Sequence, residues 1–528
     1  MLSYPGWWTY LLPGWFSFIA LLVVIVSDLL RRHLNDPRQS QVREPPSLPH
    51  RVPFIGHVIG ILTKQVGHFQ DVGIKTAVSA VSLPVLSGKM YVIFEPSLMQ
   101  HALRSPSLSF EPLMIQHAQG LLGVNAKTMS AVHSGLLGDL LRATKPAFAG
   151  EQLEIHNLTA LNYYASVINN IRPGKTLQLV NLYSWLQRIV TVASAEALYG
   201  TRNPITAGST LVDDVWTLEG GVQKLTFSVL PSITSSGPYN ARERLVEALA
   251  PLFDLATIDS LPFVSRCRAG VIRAHGITSP EDIARCELAM LHVATVNTVP
   301  ILFWLVVNIF SQPNLLKALR LECSLLMKRE STSCQGEAGV SEINISISSL
   351  QDSCPLLKAC FQECLRIYGQ ALHSRRVHSD TVFTDTQGQE YLFKKGVDVM
   401  MPSGVSHTTP RAWGPNAEEF HAARFMNWPQ NASREQRAAY MPFGGGKHLC
   451  PGRNFATAEI LGFMAALCLG TDVQGPDRSE TTLMVPGSSP AVLGQAISKP
   501  IDFAKGEGLG VKIRKREEFE YVKWRFQG

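Results

Sequence analysis

The segment from Tyr440 to Arg453 reads YMPFGGGKHLCPGR, and it is the part of the sequence that decides the fold. Three consecutive glycines, Gly444 to Gly446, precede the cysteine Cys450, and an apolar helical pattern follows over 454–467. Glycines let a backbone pass close to a flat ligand and leave N–H groups free to point at sulfur. Such hydrogen bonds, with a helix start nearby, favour the thiolate. The segment therefore predicts an anionic, metal-binding sulfur at Cys450.

The same segment resembles the cysteine loop of the cytochrome P450 superfamily, which reads Phe-x-x-Gly-x-x-x-Cys-x-Gly. Its fixed positions are matched by Phe443, Gly446, Cys450 and Gly452. The resemblance implies a mainly α, α+β cytochrome P450 fold and a heme b (iron protoporphyrin IX) cofactor. It further implies that Cys450 is the axial ligand of the haem iron and that Phe443, Gly444 and Gly452 bind the cofactor.

A second motif is Glu363-Cys364-Leu365-Arg366, in which a glutamate and an arginine share one helical face. Taken alone, this pair is usually a solvated ion pair. In the resembled family a downstream arginine closes a triad that supports the cysteine loop, and here the candidate is Arg424. The segment around it is matched by Pro415, Phe420 and Phe425.

The resemblance implies that two positions bind the haem propionates. Arg375, followed by Asp380, matches a strand whose arginine pairs with a propionate, and His448 lies two residues before Cys450. The family's Trp-x-x-x-Arg helix has no counterpart tryptophan around 132–142, where only His133 and Arg142 are candidates.

A long helix is predicted from Ser279 to about Phe310. Ser279 is a good N-cap, and Pro280 suits the first helical position. Pro300 has no N–H and leaves the carbonyl of Val296 unpaired, which predicts a kink. This kink would offer a groove for dioxygen and water beside the iron.

The resembled family places an acid followed by threonine in this helix, where they deliver protons. Here Asn297 replaces the acid and Thr298 remains. Asn-Thr before proline looks like the branch of sterol hydroxylases and prostacyclin synthase. Thr298 favours monooxygenation over a redox-neutral peroxide isomerase or dehydratase, with proton delivery through Asn297 and Thr298. The alternative for Thr298 is a hydroxyl that only bonds its own helix.

The N-terminal part predicts a membrane anchor over 1–33. An apolar stretch, Trp15–Val26, is followed by Arg31 and Arg32, which indicates a single-pass helix with the catalytic domain in the cytosol at the endoplasmic reticulum. A cleaved signal peptide is the alternative. A proline-rich hinge, or a plain loop, follows over 34–53, and the catalytic domain occupies 54–528.

The rest of the chain is predicted as mainly helical, with a helix over 355–368 and strands over 89–94 and 397–401. The polar stretch 330–342 is predicted as a surface loop, and a terminal hairpin over 485–497 is implied by the resemblance. Eight further cysteines form no Cys-x-x-Cys pair and are interpreted as buried apolar residues. They are Cys267, Cys286, Cys323, Cys334, Cys354, Cys360, Cys364 and Cys468.

Composition sets the remaining limits. The 528 residues are 45% hydrophobic and 17% charged, which excludes a disordered chain. The net charge is +6, and the sequence has no long run of lysine and arginine of the kind typical of nucleic-acid binding. The sequence thus predicts a haem-thiolate monooxygenase acting on a lipophilic sterol, terpenoid or other secondary-metabolite intermediate. Electrons would come from a membrane-bound NADPH-cytochrome P450 reductase, whose docking Lys447, His448 and Arg453 could assist. A haem-free tethered binding protein is the remaining alternative.

Overall fold

The computed structural model describes residues 42–49, 55–76, 78–86, 88–330, 341–476, 483–486, 488–489, 499–500 and 508–528. The predicted anchor over 1–33, most of the hinge over 34–53 and most of the hairpin over 485–497 lie outside these residues. Within them the mainly helical α+β architecture is confirmed.

The α-helices of the described residues are numbered in chain order. They are α1 (Val58–Lys64), α2 (Val66–Lys75), α3 (Pro96–Arg104), α4 (Glu111–Leu122), α5 (Ala126–Ala131), α6 (Leu137–Ala147), α7 (Gly150–Asn169), α8 (Leu182–Tyr199), α9 (Pro204–Ala207), α10 (Ser209–Phe227), α11 (Pro231–Thr234), α12 (Ser236–Leu249), α13 (Phe263–Ala274), α14 (Pro280–Val296), α15 (Thr298–Phe310), α16 (Pro313–Ser324), α17 (Leu350–Ser353), α18 (Pro355–Tyr368), α19 (Ser403–Thr408), α20 (Pro410–Trp413), α21 (Arg434–Ala439) and α22 (Arg453–Gly470).

The strands form small sheets. They are β1 (Ala80–Val85), β2 (Gly88–Ile93), β3 (Leu108–Ser109), β4 (Thr176–Leu179), β5 (Met327–Glu330), β6 (Ser341–Ser346), β7 (Leu372–Val377), β8 (Thr381–Thr384), β9 (Glu390–Phe393), β10 (Asp398–Pro402), β11 (Thr471–Gln474), β12 (Ser488–Ser489), β13 (Lys499–Pro500), β14 (Val511–Lys515) and β15 (Val522–Gln527). The largest sheet has the order β1-β2-β10-β7-β3, and β10 runs parallel to β2 and antiparallel to β7.

The long central helix begins where predicted. Ser279 is the N-cap, and its hydroxyl accepts a hydrogen bond from the amide of Asp282 at 3.4 Å. The helix is interrupted at Asn297, between α14 and α15, three residues before Pro300. Among the described residues this is the one helical stretch long and apolar enough to cross a membrane. Within its most apolar stretch of 18 residues 83% are buried, because the helix runs through the protein core.

The predicted helix over 355–368 is α18, and the two predicted strands are β2 and β10. The predicted surface loop is shorter than expected, because its ends belong to two antiparallel strands. Glu330 is the last residue of β5, and Ser341 and Glu342 are the first two residues of β6. Residues 331–340 lie outside the described part of the chain. Near the C-terminus β12 pairs antiparallel with β13, which brings 488–489 against 499–500.

Two cysteines that are distant in sequence meet in the core beside a carboxylate. Cys323 lies in the last turn of α16 and Cys354 directly precedes α18. Their Sγ atoms lie within 4.8 Å of each other and of a carboxylate oxygen of Glu322. Glu322 accepts hydrogen bonds from the amides of Leu356 and Leu357 at 2.7 and 3.0 Å. The carboxylate therefore caps the start of α18, as negative groups do at the positive end of a helix.

Candidate active site

The cysteine loop lies between α21 and α22 and is shaped by its glycines. Gly444 and Gly446 have φ angles of +74° and +63°, which favour glycine. A Cβ at Gly446 would also collide with the carbonyl oxygen of Leu103 on α3. The loop closes through a hydrogen bond from the amide of Cys450 to the carbonyl of Phe443 at 3.1 Å.

The sulfur of Cys450 meets opposing influences. Burial raises the pKa of its thiol, whereas hydrogen bonds from the backbone amides of Gly452 and Arg453 and the charge of the Arg453 guanidinium lower it. Cys468, on the same helix as Arg453, has no such amides acting on it, and burial raises its pKa to about 12. Cys450 is thus held by the backbone pattern that stabilises a metal-bound thiolate.

Three nitrogen-bearing side chains gather on one side of this loop. Arg375 is 4% exposed, and among the described residues no carboxylate pairs with it. Its guanidinium donates to the Ser374 carbonyl at 2.7 Å and lies 5.4 Å from the centre of the Phe110 ring. The ring of His448 lies 6.0 Å from the same phenyl ring. Burial lowers the pKa of Arg375 to about 10, because nothing compensates the charge.

The two histidines of this cluster have buried ring nitrogens that nothing pairs. Nε2 of His448 and Nε2 of His373 have no hydrogen-bond partner among the described residues. Burial, followed by the positive charge of Arg375, lowers the pKa of each to about 4. A buried arginine and two orphaned imidazole nitrogens fit a group that brings carboxylates, as the two haem propionates do. His373 was missed in the sequence because a lone histidine in a strand carries no pattern.

The candidates His133 and Arg142 do not join this cluster. His133 is exposed, and Arg142 pairs with Asp139 on the exposed side of α6. Lys145, one turn further along α6, lowers the pKa of His448 through its charge and is therefore the cation of this helix that acts on the cluster. Asp380 pairs with other groups: it accepts a hydrogen bond from the amide of Lys395 at 2.7 Å and forms an ion pair with Lys394.

The predicted triad side chains meet below the loop. Arg366 donates from Nε and from a terminal nitrogen to the carboxylate of Glu363 at 2.7 and 2.8 Å, and neither side chain is exposed. Nε of Arg424 lies 3.3 Å from the same carboxylate. Arg424 also donates to the carbonyl of Asn416 at 2.7 Å, so it ties the segment before the cysteine loop to α18.

At the interruption of the central helix, the Thr298 side chain lies close to the side chain of Glu459 on α22. Asn297 is exposed, whereas Thr298 is buried and its hydroxyl donates to the Ala294 carbonyl at 3.0 Å. Opposite Thr298 stands Glu459 of α22, which is completely buried. Burial raises the pKa of Glu459 to about 8, and only the Thr298 hydroxyl opposes that shift. A single glutamate in the otherwise apolar stretch of α22 was the signal that could have revealed it.

Comparison with known proteins shows to which family the chain belongs. Residues 271–483 match the family model described as cytochrome P450. The chain is 33% identical over 490 residues to a cytochrome P450 monooxygenase of Gibberella zeae, covering 92% of this chain and 91% of that protein. It is 24% identical over 295 residues to cholesterol 7-alpha-monooxygenase of Cricetulus griseus, covering 54% of this chain and 57% of that protein. A crystal structure of a cytochrome P450 covers 90% of this chain and 100% of its own, with a TM-score of 0.66 at 16% identity.

Fold and site together define a haem-thiolate protein. The chain belongs to the cytochrome P450 family. It is a cytochrome P450 monooxygenase, an oxidoreductase whose cofactor is heme b. The similarity to cholesterol 7-alpha-monooxygenase fits the sterol-hydroxylase branch that Asn297 and Thr298 indicated.

Proposed function

We propose that Cys450 is the axial ligand of the haem iron and that Arg375, His448 and Lys145 hold the propionates. Two features found together support this proposal. The sulfur of Cys450 accepts hydrogen bonds from backbone amides, and beside it lies a cluster of buried side-chain nitrogens that no carboxylate of the described residues pairs with. Phe443, Gly444 and Gly452 would line the cofactor as parts of the same loop. Glu363, Arg366 and Arg424 would act as the scaffold beneath it and take no part in chemistry.

The reaction we propose is insertion of one oxygen atom of O2 into a lipophilic substrate. When bound, a haem with a thiolate ligand supplies the oxygen activation, because the sulfur donates electron density that favours O–O cleavage. Thr298, at the break in the central helix, would orient and pass protons, and Asn297 would assist by hydrogen bonding. A sterol, terpenoid or similar intermediate is the proposed substrate class, and the sterol part rests on the name of the Cricetulus griseus relative.

Electrons are proposed to come from an NADPH-dependent reductase that docks behind the cysteine loop. A cavity of about 310 Å³ opens there and is lined by Lys358, Leu449 and Arg453 among others. Lys447 is exposed near this cavity. Positive side chains around an apolar cavity are complementary in charge to an acidic protein surface. His448 points to the propionate cluster instead, so we leave it out of the docking surface.

We also propose that the enzyme is a single-pass protein of the endoplasmic reticulum membrane with its catalytic domain in the cytosol. A second membrane contact is supported by exposed apolar side chains in two adjacent segments. One contains Ile59 and Leu62 of α1. The other contains Phe227, the last residue of α10, and Val229 just after it, which are 80% and 92% exposed. A hydrogen bond of 2.8 Å from Gln223 to Gln65 joins the two segments, so they form one lipid-facing surface.

The spectrum of the ferrous carbonyl complex tests the ligand assignment. The wild type should show the red-shifted Soret band of a thiolate ligand, and Cys450→His should lose it. Cys364→Ser is the matched control, because Cys364 is a fully buried cysteine of α18 outside the loop. A red-shifted band that survives in Cys450→His would refute the proposal.

Omission of reductase and NADPH tests the reaction. Monooxygenation requires both, whereas a peroxide isomerase of the same fold turns over without them. Product that forms at an unchanged rate in their absence would replace the monooxygenase proposal by the isomerase.

The lipid surface is tested with a fluorophore on Val229→Cys of the full-length chain in brominated phospholipid bilayers. Bromine quenches probes that enter the acyl region, so the label should be quenched. A label on Tyr521→Cys, at another exposed position near the C-terminus, is the control. Equal quenching of the two labels would contradict a specific lipid face.

A further inference from the structure

A cluster of sulfur and oxygen atoms lies where α16, α18 and α22 meet, outside the cysteine loop. Cys323 belongs to α16, Cys354 directly precedes α18, and neither side chain has any exposed surface. Their Sγ atoms and a carboxylate oxygen of Glu322 all lie within 4.8 Å of one another. The fold thus brings together three atoms that can bind a metal, although the strands β5 and β6 separate the two cysteines along the chain.

The separations within this cluster suit a tetrahedral cation. Zinc binds cysteine sulfur at about 2.3 Å and carboxylate oxygen at about 2.0–2.2 Å. Ligand atoms at these distances from a tetrahedral ion lie about 3.6–3.8 Å from one another. Because no two of the three atoms are more than 4.8 Å apart, side-chain shifts of about 1 Å or less would close the site around zinc.

The carboxylate of Glu322 is held in place by the backbone. Its two oxygens accept hydrogen bonds from the amides of Leu356 and Leu357 at 2.7 and 3.0 Å. Such bonds orient a metal-binding carboxylate, and each oxygen keeps a second lone pair for the ion. Among the described residues no lysine or arginine pairs with Glu322. The arginine nearest to it along α16, Arg320, pairs with Asp472 at 2.6 Å instead.

A further thiol lies beside the cluster. Cys468 of α22 is also fully buried, and it is near enough to Cys323 for its charge to act on that thiol. Arg320 donates to the Cys468 carbonyl at 2.9 Å, which ties α22 to α16. A third sulfur completes the four ligands of a closed, structural zinc site. Glu322 is only partly buried, so its carboxylate gives an ion from solvent a route to the thiols.

A disulfide between Cys323 and Cys354 explains the cluster less well. It would bring no positive charge to the Glu322 carboxylate, whereas a divalent cation would neutralise it. Its formation would also need an oxidant that reaches two sulfur atoms without exposed surface. The arrangement of a carboxylate with reduced thiols therefore favours a metal ion.

We propose that Cys323, Cys354 and Glu322 bind one zinc ion, with Cys468 as the fourth ligand, in a structural site that joins α16 to α18 and α22. Each thiol releases its proton to solvent when it binds the ion, and no electron is transferred. Zinc has no redox chemistry, so the site takes no part in oxygen activation. It stabilises α18, the helix that carries Glu363. The inference is independent of the proposed function.

The zinc content of the full-length, haem-loaded enzyme tests this inference. Wild type produced with Zn2+ in the medium and dialysed against metal-free buffer should retain about one zinc ion per chain besides the haem iron. Cys323→Ser and Cys354→Ser should lose the zinc. Glu322→Gln should bind Zn2+ at least about tenfold more weakly. Its amide oxygen can still accept a backbone hydrogen bond, so this variant separates metal binding from capping of α18. Cys286→Ser is the matched control, because Cys286 is a buried cysteine of α14 and its loss should leave the zinc in place.

Two measurements on the wild type do not depend on whether the variants fold. X-ray absorption at the zinc edge should show two or three sulfur neighbours at about 2.3 Å, and fewer than two would overturn the inference. Removal of zinc by a chelator should lower the unfolding temperature, and added Zn2+ should restore it.

Wild type without zinc, zinc retained in both serine variants, or a disulfide between Cys323 and Cys354 in the mass spectrum of the unreduced chain would each overturn the inference as well. The ferrous carbonyl spectrum should be the same with and without zinc. A failure at this site is therefore distinct from a failure of the haem assignment.

Discussion

The amide of Met441, at the entrance of the cysteine loop, donates a hydrogen bond of 3.1 Å to Nε2 of His407. On the other side of the ring, Nδ1 lies 3.1 Å from the Gly369 carbonyl. A ring that accepts at Nε2 and donates at Nδ1 must be neutral. The fully buried imidazole therefore joins the end of α18 to the loop that carries Cys450 only while it stays unprotonated.

This arrangement predicts an acid-sensitive fold. Burial, with the charges of His373 and Arg366, lowers the pKa of His407 to about 3, below the 6.5 of an unfolded histidine. The unfolded chain therefore binds more protons between these values, and the free energy of unfolding should fall as pH drops from 6.5 towards 3. The slope contributed by one group is at most about 1.4 kcal/mol per pH unit.

Denaturant unfolding at several pH values measures this slope. His407→Gln should be less stable at pH 7 and should show a shallower dependence below pH 6.5. His101→Gln, which alters an exposed imidazole packed on Phe383, should keep the wild-type slope. An undiminished slope in His407→Gln would contradict the prediction.

The ion pair between Glu363 and Arg366 predicts a large stability loss on truncation. Arg366→Met removes the closer of the two arginines that pair with the buried Glu363 carboxylate, and breaking a buried ion pair costs about 3–5 kcal/mol. It also removes two hydrogen bonds of 2.6 Å, to the carbonyls of His407 and Ala417. Lys394→Met, which breaks a half-exposed pair with Asp380, should cost about 1 kcal/mol or less. Thermal unfolding measures the loss of stability in each variant, and equal losses in the two would contradict the prediction.

Substitutions of two consecutive arginines are expected to affect haem retention differently. Arg375 is buried without a carboxylate, whereas Arg376 pairs with Asp398 at 2.7 Å on the half-exposed face of the sheet. Arg375→Leu should speed transfer of haem to apomyoglobin, because a propionate would lose its charged partner. Arg376→Leu should leave the transfer rate near that of the wild type. Identical rates in the two variants would remove Arg375 from the cofactor site.

The N-cap of the central helix predicts a modest, local effect. Ser279→Ala removes the acceptor of the Asp282 amide and should cost about 1 kcal/mol. The Asp282 amide should then exchange its hydrogen faster with solvent. Ser324→Ala is the comparison, because that hydroxyl only donates to the Leu321 carbonyl near the other end of a helix. Exchange at Asp282 that does not change would show that the cap is dispensable.

Some features were predictable because they depend on residues close in sequence. The spacing of Phe443, Gly446 and Cys450 defines the loop, and Glu363 and Arg366 lie one helical turn apart. Ser279 before a proline is sufficient to start a helix. Interactions across one to ten residues leave a pattern in the chain, because backbone geometry fixes which of these side chains can meet.

Short segments of the chain were sufficient to predict the cysteine loop, the interruption of the central helix and the family. Only the tertiary structure placed Glu459 opposite Thr298, and it also selected Lys145 rather than Arg142 as the cation near His448. These neighbours come from segments more than a hundred residues apart, brought together by the packing of helices whose relative positions no local pattern encodes. The packing of side chains determines which buried polar groups have hydrogen-bond partners within the protein and which remain available to bind a ligand or a proton.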